Sequence, residues 1–175
     1  DIPRITKKYG FKSAYAVTRE AVNQKVISLA QCHFVLHQVG HLSYEFYAGN
    51  FQRMVDDLDN VRECSGAGFH GMEAQIAETK PNPFGELRNL CKSIRAKFPA
   101  KEALCYHGAG HGFMKVTRDV EKSLQKCIQI IKELSERSAC DSGVFSEFGA
   151  QLRGLDTDTG KSLNLPTPPF DYSNH

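Results

Sequence analysis

CHFVLHQVGH, at residues 32–41, is the segment from which the architecture of this 175-residue chain can be inferred. It opens with a cysteine, carries histidines at four-residue intervals and ends in the pattern H-x-x-G-H. A related segment, CYHGAGHGFM at residues 105–114, contains the same pattern. A motif that recurs within one chain indicates a repeated structural unit. We therefore expect two halves built on the same plan.

A second pair of similar segments supports the division into halves. CSGAGFHGMEAQI begins at Cys64, CDSGVFSEFGAQL begins at Cys140, and an offset of 76 residues superposes them. This alignment puts residues 146–147 in the place of residues 70–71. Each half is therefore expected to contain one histidine-pair segment followed by one segment rich in glycine and phenylalanine.

The two halves are expected at about residues 17–80 and 84–153, on either side of a Pro-Asn-Pro break. We expect one domain, residues 1–153, because a chain of this length favours a single core. Residues 154–175 are rich in Asp, Thr and Pro, which predicts an extended or disordered tail. The chain starts with Asp1 rather than Met, so we expect either a removed signal segment or an excised fragment.

Helical periodicity dominates the chain, and no segment alternates for long between apolar and polar residues. Apolar spacing predicts helices over residues 17–29, 32–47, 50–60, 84–97 and 119–136. The last of these is expected to run unbroken, with residues 140–142 capping the helix that follows. We predict an all-α fold of helical hairpins, a bundle or short solenoid of about eight helices. No apolar run approaches 18 residues, so no transmembrane segment is expected.

Six cysteines without a C-x-x-C pair argue against zinc-ribbon and thioredoxin-like sites. An even number in this pattern is typical of disulfides in an oxidising compartment, so we expect a secreted, periplasmic or cell-surface protein. The alternative is a cytosolic protein with reduced cysteines. Among the connectivities that six cysteines allow, spacing within hairpins favours Cys91 with Cys105, Cys127 with Cys140, and Cys32 with Cys64.

The histidines are concentrated in the cysteine-opened segments, where they are candidate metal ligands. Residues four apart lie on one face of a helix, which is the spacing with which a helix binds a metal ion through two histidines. In helical bundles such ligands come from facing helices. The expected ligands are His37, His41, His70, His107 and His111, with Glu73 or Glu147 supplying a carboxylate. His33 is expected to be a further ligand or an outer hydrogen-bond donor.

This set of donor atoms suits copper, iron or zinc. Eight glycines crowd around the histidines inside predicted helices, where each costs roughly 1 kcal/mol relative to alanine. They indicate that helix backbones closely approach either one another or a flat cofactor, so non-covalent haem with two axial histidines is a variant of the metal hypothesis. The alternative interpretation is that the histidines are hydrogen-bonded core residues without a ligand.

Two functions from different classes follow from these patterns. The first is an extracytoplasmic metal-binding protein, redox-active with copper or iron and acting as a metal-dependent oxidoreductase. The second is a disulfide-stapled structural subunit of a surface or membrane-associated assembly, which binds a protein partner through the C-terminal tail, LPTPPFDY at residues 165–172. A net charge of +2 is far from the dense positive charge of nucleic-acid-binding proteins, so no nucleic acid is expected.

Taken together, the four motifs resemble those of a group of uncharacterised prokaryotic proteins. The motifs are C-H-x3-H-x2-G-H, C-x-G-x-G-x-H-G, C-x-H-G-x-G-H-G-x-M and C-x2-G-V-F-x-E, and the resemblance spans residues 32–152. Members of that group are rich in cysteine and histidine, are mostly exported and have no assigned activity. The resemblance therefore implies export and no particular reaction.

Overall fold

The computed structural model of the chain describes residues 2–57 and 63–155, and within these ranges it has eight α-helices and two short 3₁₀ helices. The α-helices are α1 (Ile2–Asn23), α2 (Leu29–Phe46), α3 (Phe51–Asp57), α4 (Ala67–Thr79), α5 (Pro83–Lys97), α6 (Glu102–Thr117), α7 (Val120–Ile130) and α8 (Leu134–Leu152). The all-α prediction is confirmed. The predicted C-terminal tail lies outside the described residues from residue 156 onward. Among the described helices, none is long and apolar enough to cross a membrane.

Local signals in the sequence set several helix starts. Ser28 and Gln31 form a capping box at the start of α2, where each side chain accepts from the other residue's backbone N–H. The side chain of Asp119 accepts from the backbone N–H of Lys122 at the start of α7. Pro83 lies in the first turn of α5, where its missing N–H breaks no helical hydrogen bond. These starts lie close to the predicted ones.

The helix predicted over residues 17–29 has the wrong boundaries. The first helix begins at residue 2 and ends at Asn23, and the chain then turns through Lys25 in a left-handed conformation (φ 57°). Val26 and Leu29 fit the apolar spacing of the predicted helix, but they lie beyond the end of α1 and are 70% and 68% exposed. Apolar spacing misled the prediction here because these side chains do not face the core.

The unbroken helix predicted over residues 119–136 is also wrong. Helix α7 ends at Ile130, where the backbone of Ile131 becomes extended and the chain reverses into α8. The reversal returns Cys140 to Cys127, so Cys140 lies inside α8 rather than at its cap. The covalent link therefore requires a shorter α7 than the apolar stripe alone suggested.

Four helices lie side by side in the order α2, α4, α6, α8, with α1 packed on the outside of α2. Helices α3, α5 and α7 link them and pack along the row. Helix α4 is therefore flanked by α2 and α6.

All four helices run in the same direction. Cys32 is bonded to Cys64 near the starts of α2 and α4, and His41 meets Glu78 near their ends. The glycine contacts between α4 and α6, and the contacts of His107 with Ala139 and of His111 with Glu147 between α6 and α8, advance along both helices in the same sense.

Glycines allow close helix contact in both halves. A Cβ atom at Gly71 of α4 would overlap the carbonyl oxygen of His37 in α2. One at Gly143 of α8 would overlap the carbonyl oxygen of His107 in α6. Because backbone meets backbone at equivalent places, the α2–α4 and α6–α8 pairs are built alike, as the pseudo-repeat predicts.

Three disulfides join the helices, with the predicted connectivity. They link Cys32 to Cys64, Cys91 to Cys105 and Cys127 to Cys140, with Cα atoms 5.8, 5.5 and 5.8 Å apart. The six cysteines of the chain are thus all paired. Each bridge contributes about 2–4 kcal/mol to stability, mainly by restricting the unfolded chain. The bridges connect α2 to the turn before α4, α5 to α6, and α7 to α8.

Candidate metal centre

Five histidines bring their imidazole rings together where α2, α4 and α6 meet, and we call this group the histidine cluster. His33 and His37 come from α2, His70 from α4, and His107 and His111 from α6. Neighbouring ring centroids lie 4.9–5.7 Å apart, and the ring of His70 is close to all four others. Since α4 is flanked by helices that each contribute an i, i+4 pair, His70 lies at the centre.

Two rings of the cluster are oriented by oxygen acceptors outside it. The Nδ1–H of His33 donates to the carbonyl oxygen of Cys64 at 3.0 Å. The Nδ1–H of His111 donates to Oε2 of Glu147 at 3.1 Å, and both of these side chains are buried. Outer acceptors of this kind fix the tautomer of a metal-binding histidine and leave the lone pair on its other nitrogen. The Nε2 atoms of both rings are thereby prepared as ligands.

The Nε2 atoms of His107 and His111 face each other at 3.1 Å. A neutral imidazole carries a single N–H. That of His111 is directed at Glu147, and His107 donates a ring N–H to the backbone carbonyl of Ala139. Two lone pairs then converge, an arrangement that is repulsive unless a cation lies between them. Either a proton or a metal ion satisfies this geometry.

The centre of the cluster is buried. His37, His70 and His111 are 0%, 1% and 3% exposed. Burial lowers the pKa of His37 and of His70 well below the ordinary value, and the neighbouring imidazoles lower both further. Burial also lowers the pKa of His107, to about 4, and that of His33. These four rings are therefore neutral near pH 7, which is the form that binds metal ions.

His70 has two ring nitrogens that are buried without a hydrogen-bond partner. Leaving a buried polar atom unsatisfied costs about 1–3 kcal/mol, so a native structure needs a reason for it. A bound metal ion would supply one. The ligating nitrogens come within 4.8 Å of one another in two groups, His33 with His37 and His70, and His70 with His107 and His111. Three imidazoles at this spacing can hold one metal ion.

His41, an expected ligand, is not brought into the cluster. Its Nε2 pairs with Oε2 of Glu78 at 3.3 Å, and the two side chains are partly exposed. The backbone of α4 lies at Gly71 against the carbonyl oxygen of His37 and the amide nitrogen of His41, which are adjacent in the same turn of α2. His41 lies outside the cluster, so the histidine pair that α2 contributes to it is His33 and His37, which are also four residues apart.

Glu147, also an expected ligand, contacts the outer nitrogen of His111. Its other oxygen accepts from the side-chain amide of Gln151 at 3.3 Å. The expected equivalence of residues 146–147 with residues 70–71 is wrong, because the glycine contacts align α4 with α8 at an offset of 72, one helical turn away from 76. We missed Gln151, which the i, i+4 spacing on a helix could have indicated.

Glu73, the other candidate carboxylate, is fully buried, and neither of its oxygens has a hydrogen-bond partner. Burial raises the pKa of this carboxyl well above its ordinary value. The carboxyl lies against Gly108, where a Cβ atom would overlap it. An oxygen of Glu73 lies within 4.8 Å of the sulfurs of Cys91 and Cys105, which are joined in a disulfide and so offer no thiolate. Glu73 is therefore grouped with a disulfide and not with the histidines.

The glycines around the cluster lie against neighbouring helices. A Cβ atom at Gly40 would overlap the carbonyl oxygen of Gly68, and one at Gly110 would overlap that of Cys140. Close packing of helices accounts for these glycines, so they no longer argue for a flat cofactor such as haem. The histidine cluster fits a metal ion, since nitrogens from neighbouring helices lie within 4.8 Å of one another in two groups of three.

The backbone acceptors at Cys64 and Ala139 were not foreseen from the sequence. Every residue has a carbonyl group, so no residue type marks the one that a histidine will contact. These two acceptors exist only because the turn before α4 and the N-terminal part of α8 pack beside the cluster.

No protein-family model matches the chain, and neither a curated protein nor a solved structure matches it.

Proposed function

We propose that this is an extracytoplasmic metal-binding protein whose histidine cluster holds a redox-active transition metal, copper or iron. The observation that carries the proposal is the 3.1 Å approach of the Nε2 atoms of His107 and His111, whose N–H groups are directed at other acceptors. A cation belongs at this point. His70, with its unpartnered nitrogens, supplies a third imidazole next to it.

A metal ion fits this position better than a proton. A proton shared by His107 and His111 would place a positive charge among buried, neutral imidazoles. Burial opposes a positive charge on His107 and lowers the pKa of this ring to about 4, so His107 itself does not retain the proton near pH 7. A metal ion avoids this penalty because it forms bonds with several nitrogens at once.

The nature of the donor atoms supports copper or iron. The cysteines are all in disulfides, which leaves a set of imidazole nitrogens without thiolates. Such a set suits copper, iron and zinc. Three disulfides already hold the helices together, so a purely structural zinc ion would add little. Each group of three imidazoles leaves a coordination position for chemistry, and a bound metal would supply electron transfer or polarisation of an oxygen-containing substrate.

The disulfides support a location outside the reducing cytosol. Stable disulfides are typical of oxidising compartments. Three of them occur within the described residues, and they link five of the helices and one connecting turn. A secreted, periplasmic or cell-surface protein is consistent with this pattern.

Elemental analysis of the oxidised protein, purified from cells grown with copper, iron and zinc, tests metal binding. We expect stoichiometric copper or iron in the wild-type protein, and loss of that metal in the double variant His107→Ala and His111→Ala. The matched control is His41→Ala, which removes a histidine from the same sequence motif but outside the cluster, and it should retain the metal. Metal-free wild-type protein would reject the proposal and favour the structural-subunit alternative.

Spectroscopy separates the kinds of metal centre. Copper or iron that changes oxidation state with ascorbate or dithionite, followed by electron paramagnetic resonance, would support a redox role. Stoichiometric zinc would keep metal binding but reject that role. A Soret absorption band would identify haem, and its absence from fully loaded protein excludes the haem variant.

A further inference from the structure

We propose that the histidine cluster holds two metal ions, one in each group of three histidines, with His70 as the shared ligand. This inference rests on the proposed function, because it concerns the same cluster. It goes further by assigning the number of ions and the role of the central ring. One ion between the facing nitrogens of His107 and His111 would account for only part of the cluster.

Each flanking helix contributes a complete two-histidine half-site. His33 and His37 are four residues apart on α2, and His107 and His111 are four apart on α6. In both pairs the ring centroids are 4.9 Å apart. Two residues on one helical face at this spacing converge on one point, so the two pairs define one point beside α2 and another beside α6.

His70 joins the two half-sites. Its ring centroid is 5.7 and 5.2 Å from those of His33 and His37, and 4.9 and 5.4 Å from those of His107 and His111. The ligating nitrogens meet within 4.8 Å in each group of three. An imidazole has two nitrogens on opposite edges of its ring, and in His70 neither has a hydrogen-bond partner. One nitrogen directed at each ion would satisfy both atoms, with the remaining N–H proton of the ring released to water on binding, so that His70 binds as an imidazolate.

A single central ion leaves part of this arrangement unexplained. Such an ion would be held by His37, His70 and His111, whose ring centroids are 5.2–5.4 Å apart. It would not use the outer rings, although His33 is oriented by a carbonyl oxygen and His107 directs Nε2 at His111. Two ions together bind all five rings, and each ion binds one of the two unpartnered nitrogens of His70.

The experiment counts copper ions bound by the full, oxidised chain after metal removal. Cu(II) is added in increments, and native mass spectrometry and a chelator competition report how many ions bind tightly. We expect two per chain in the wild-type protein and in the control His41→Ala. The variants His33→Ala and His107→Ala should each retain one tightly bound ion, and His70→Ala should retain none.

Magnetic coupling gives an independent readout. Two Cu(II) ions that share one imidazole couple magnetically, which reduces the intensity of their paramagnetic resonance signal. The signal of the loaded wild-type protein, once integrated, should therefore correspond to less copper than the protein has bound. The signal of loaded His107→Ala should account for all of its copper. Circular dichroism and an intact mass that shows three disulfides establish that each variant is folded.

The outcomes distinguish the inference from the function on which it rests. A single tightly bound ion in the wild-type protein, lost in both His33→Ala and His107→Ala, would overturn the two-ion arrangement and leave metal binding intact. Two ions that persist in His70→Ala would overturn the role of His70 as the shared ligand. No bound ion would overturn both proposals.

Discussion

Replacing Gly71 by alanine should destabilise the protein, although alanine favours helices. A Cβ atom at this position would overlap the carbonyl oxygen of His37 and lie 2.7 Å from the backbone nitrogen of His41. Real Cβ contacts are about 3.4–4 Å, so α4 and α2 would have to move apart. The neighbours are backbone atoms, which no change of side-chain rotamer can relieve.

The magnitude follows from two opposing effects. Alanine in place of a helical glycine gains about 1 kcal/mol. Overpacking a well-packed core costs typically about 1–3 kcal/mol, and the rigid neighbours of Gly71 place it at the upper end. We expect a net loss of about 2 kcal/mol, equivalent to a melting temperature lower by roughly 4–8 °C for a protein of this size. Separation of α4 from α2 should also weaken metal binding by the group of three that contains His37.

The matched control is Gly85→Ala in α5, because nothing lies within 4 Å of a Cβ atom at that position. The same chemical change there should raise the melting temperature by about 2–4 °C, since the helix gains up to about 1 kcal/mol and no contact is lost. Thermal and urea unfolding of the metal-free, oxidised proteins measure both effects. A Gly71→Ala variant as stable as the wild-type protein would refute the close contact between α2 and α4.

Three further predictions concern the charged and titratable groups. The metal-free protein should lose stability as the pH falls from 6.5 towards 4, because burial lowers the pKa of His70 and of His107 in the folded state, so the unfolded state binds more protons in this range. For each such histidine, the free energy of unfolding measured in urea should change by at most about 1.4 kcal/mol per pH unit. A free energy of unfolding that does not change with pH in this range would contradict the burial of the cluster. Glu73→Gln should stabilise the metal-free protein above pH 5, by a margin that grows with pH. Burial raises the pKa of the Glu73 carboxyl in the folded state, so the folded protein loses stability as the pH rises and this group has to ionise. Glutamine does not ionise, so the variant avoids this loss. Unfolding curves at several pH values measure this margin, and a variant less stable than the wild-type protein at pH 8 would show that the carboxylate has a stabilising partner. Glu147→Gln should weaken metal binding by about 10–100-fold without changing the number of ions at saturation, since it removes the charged acceptor of the His111 N–H. Chelator competition measures the affinity, and an unchanged value would mean that Glu147 does not orient a ligand.

Much of the fold could be predicted because its signals are local. Apolar periodicity identified the helices that became α2, α5 and most of α7, and hairpin spacing gave the disulfide connectivity. Boundaries failed where long-range contacts override periodicity. Helix α7 ends at Ile130 because the chain must return Cys140 to Cys127, and the stripe of apolar residues contains no sign of that reversal.

The candidate ligands could be proposed from the sequence only as a set. Histidine spacing correctly indicated that imidazoles share a helical face, but His37 has a histidine one turn before it and another one turn after it. The packing of α4 against α2 at Gly71 brings His33 towards His70 and leaves His41 beside Glu78. No property of α2 alone distinguishes the two.

The sequence by itself determined the helical class, the pairing of cysteines and the residue types of the cluster, because these depend on spacing along one or two adjacent helices. Only the tertiary structure decided which imidazoles meet, which oxygens orient them and that Glu73 lies beside a disulfide. The hydrogen bonds that orient His33 and His111 join residues that are 31 and 36 positions apart in the sequence. The contacts between imidazoles depend on the register of neighbouring helices, which is set by glycine packing. A shift of one helical turn between two helices leaves the apolar pattern of each unchanged, yet it moves every ring by about 5.4 Å.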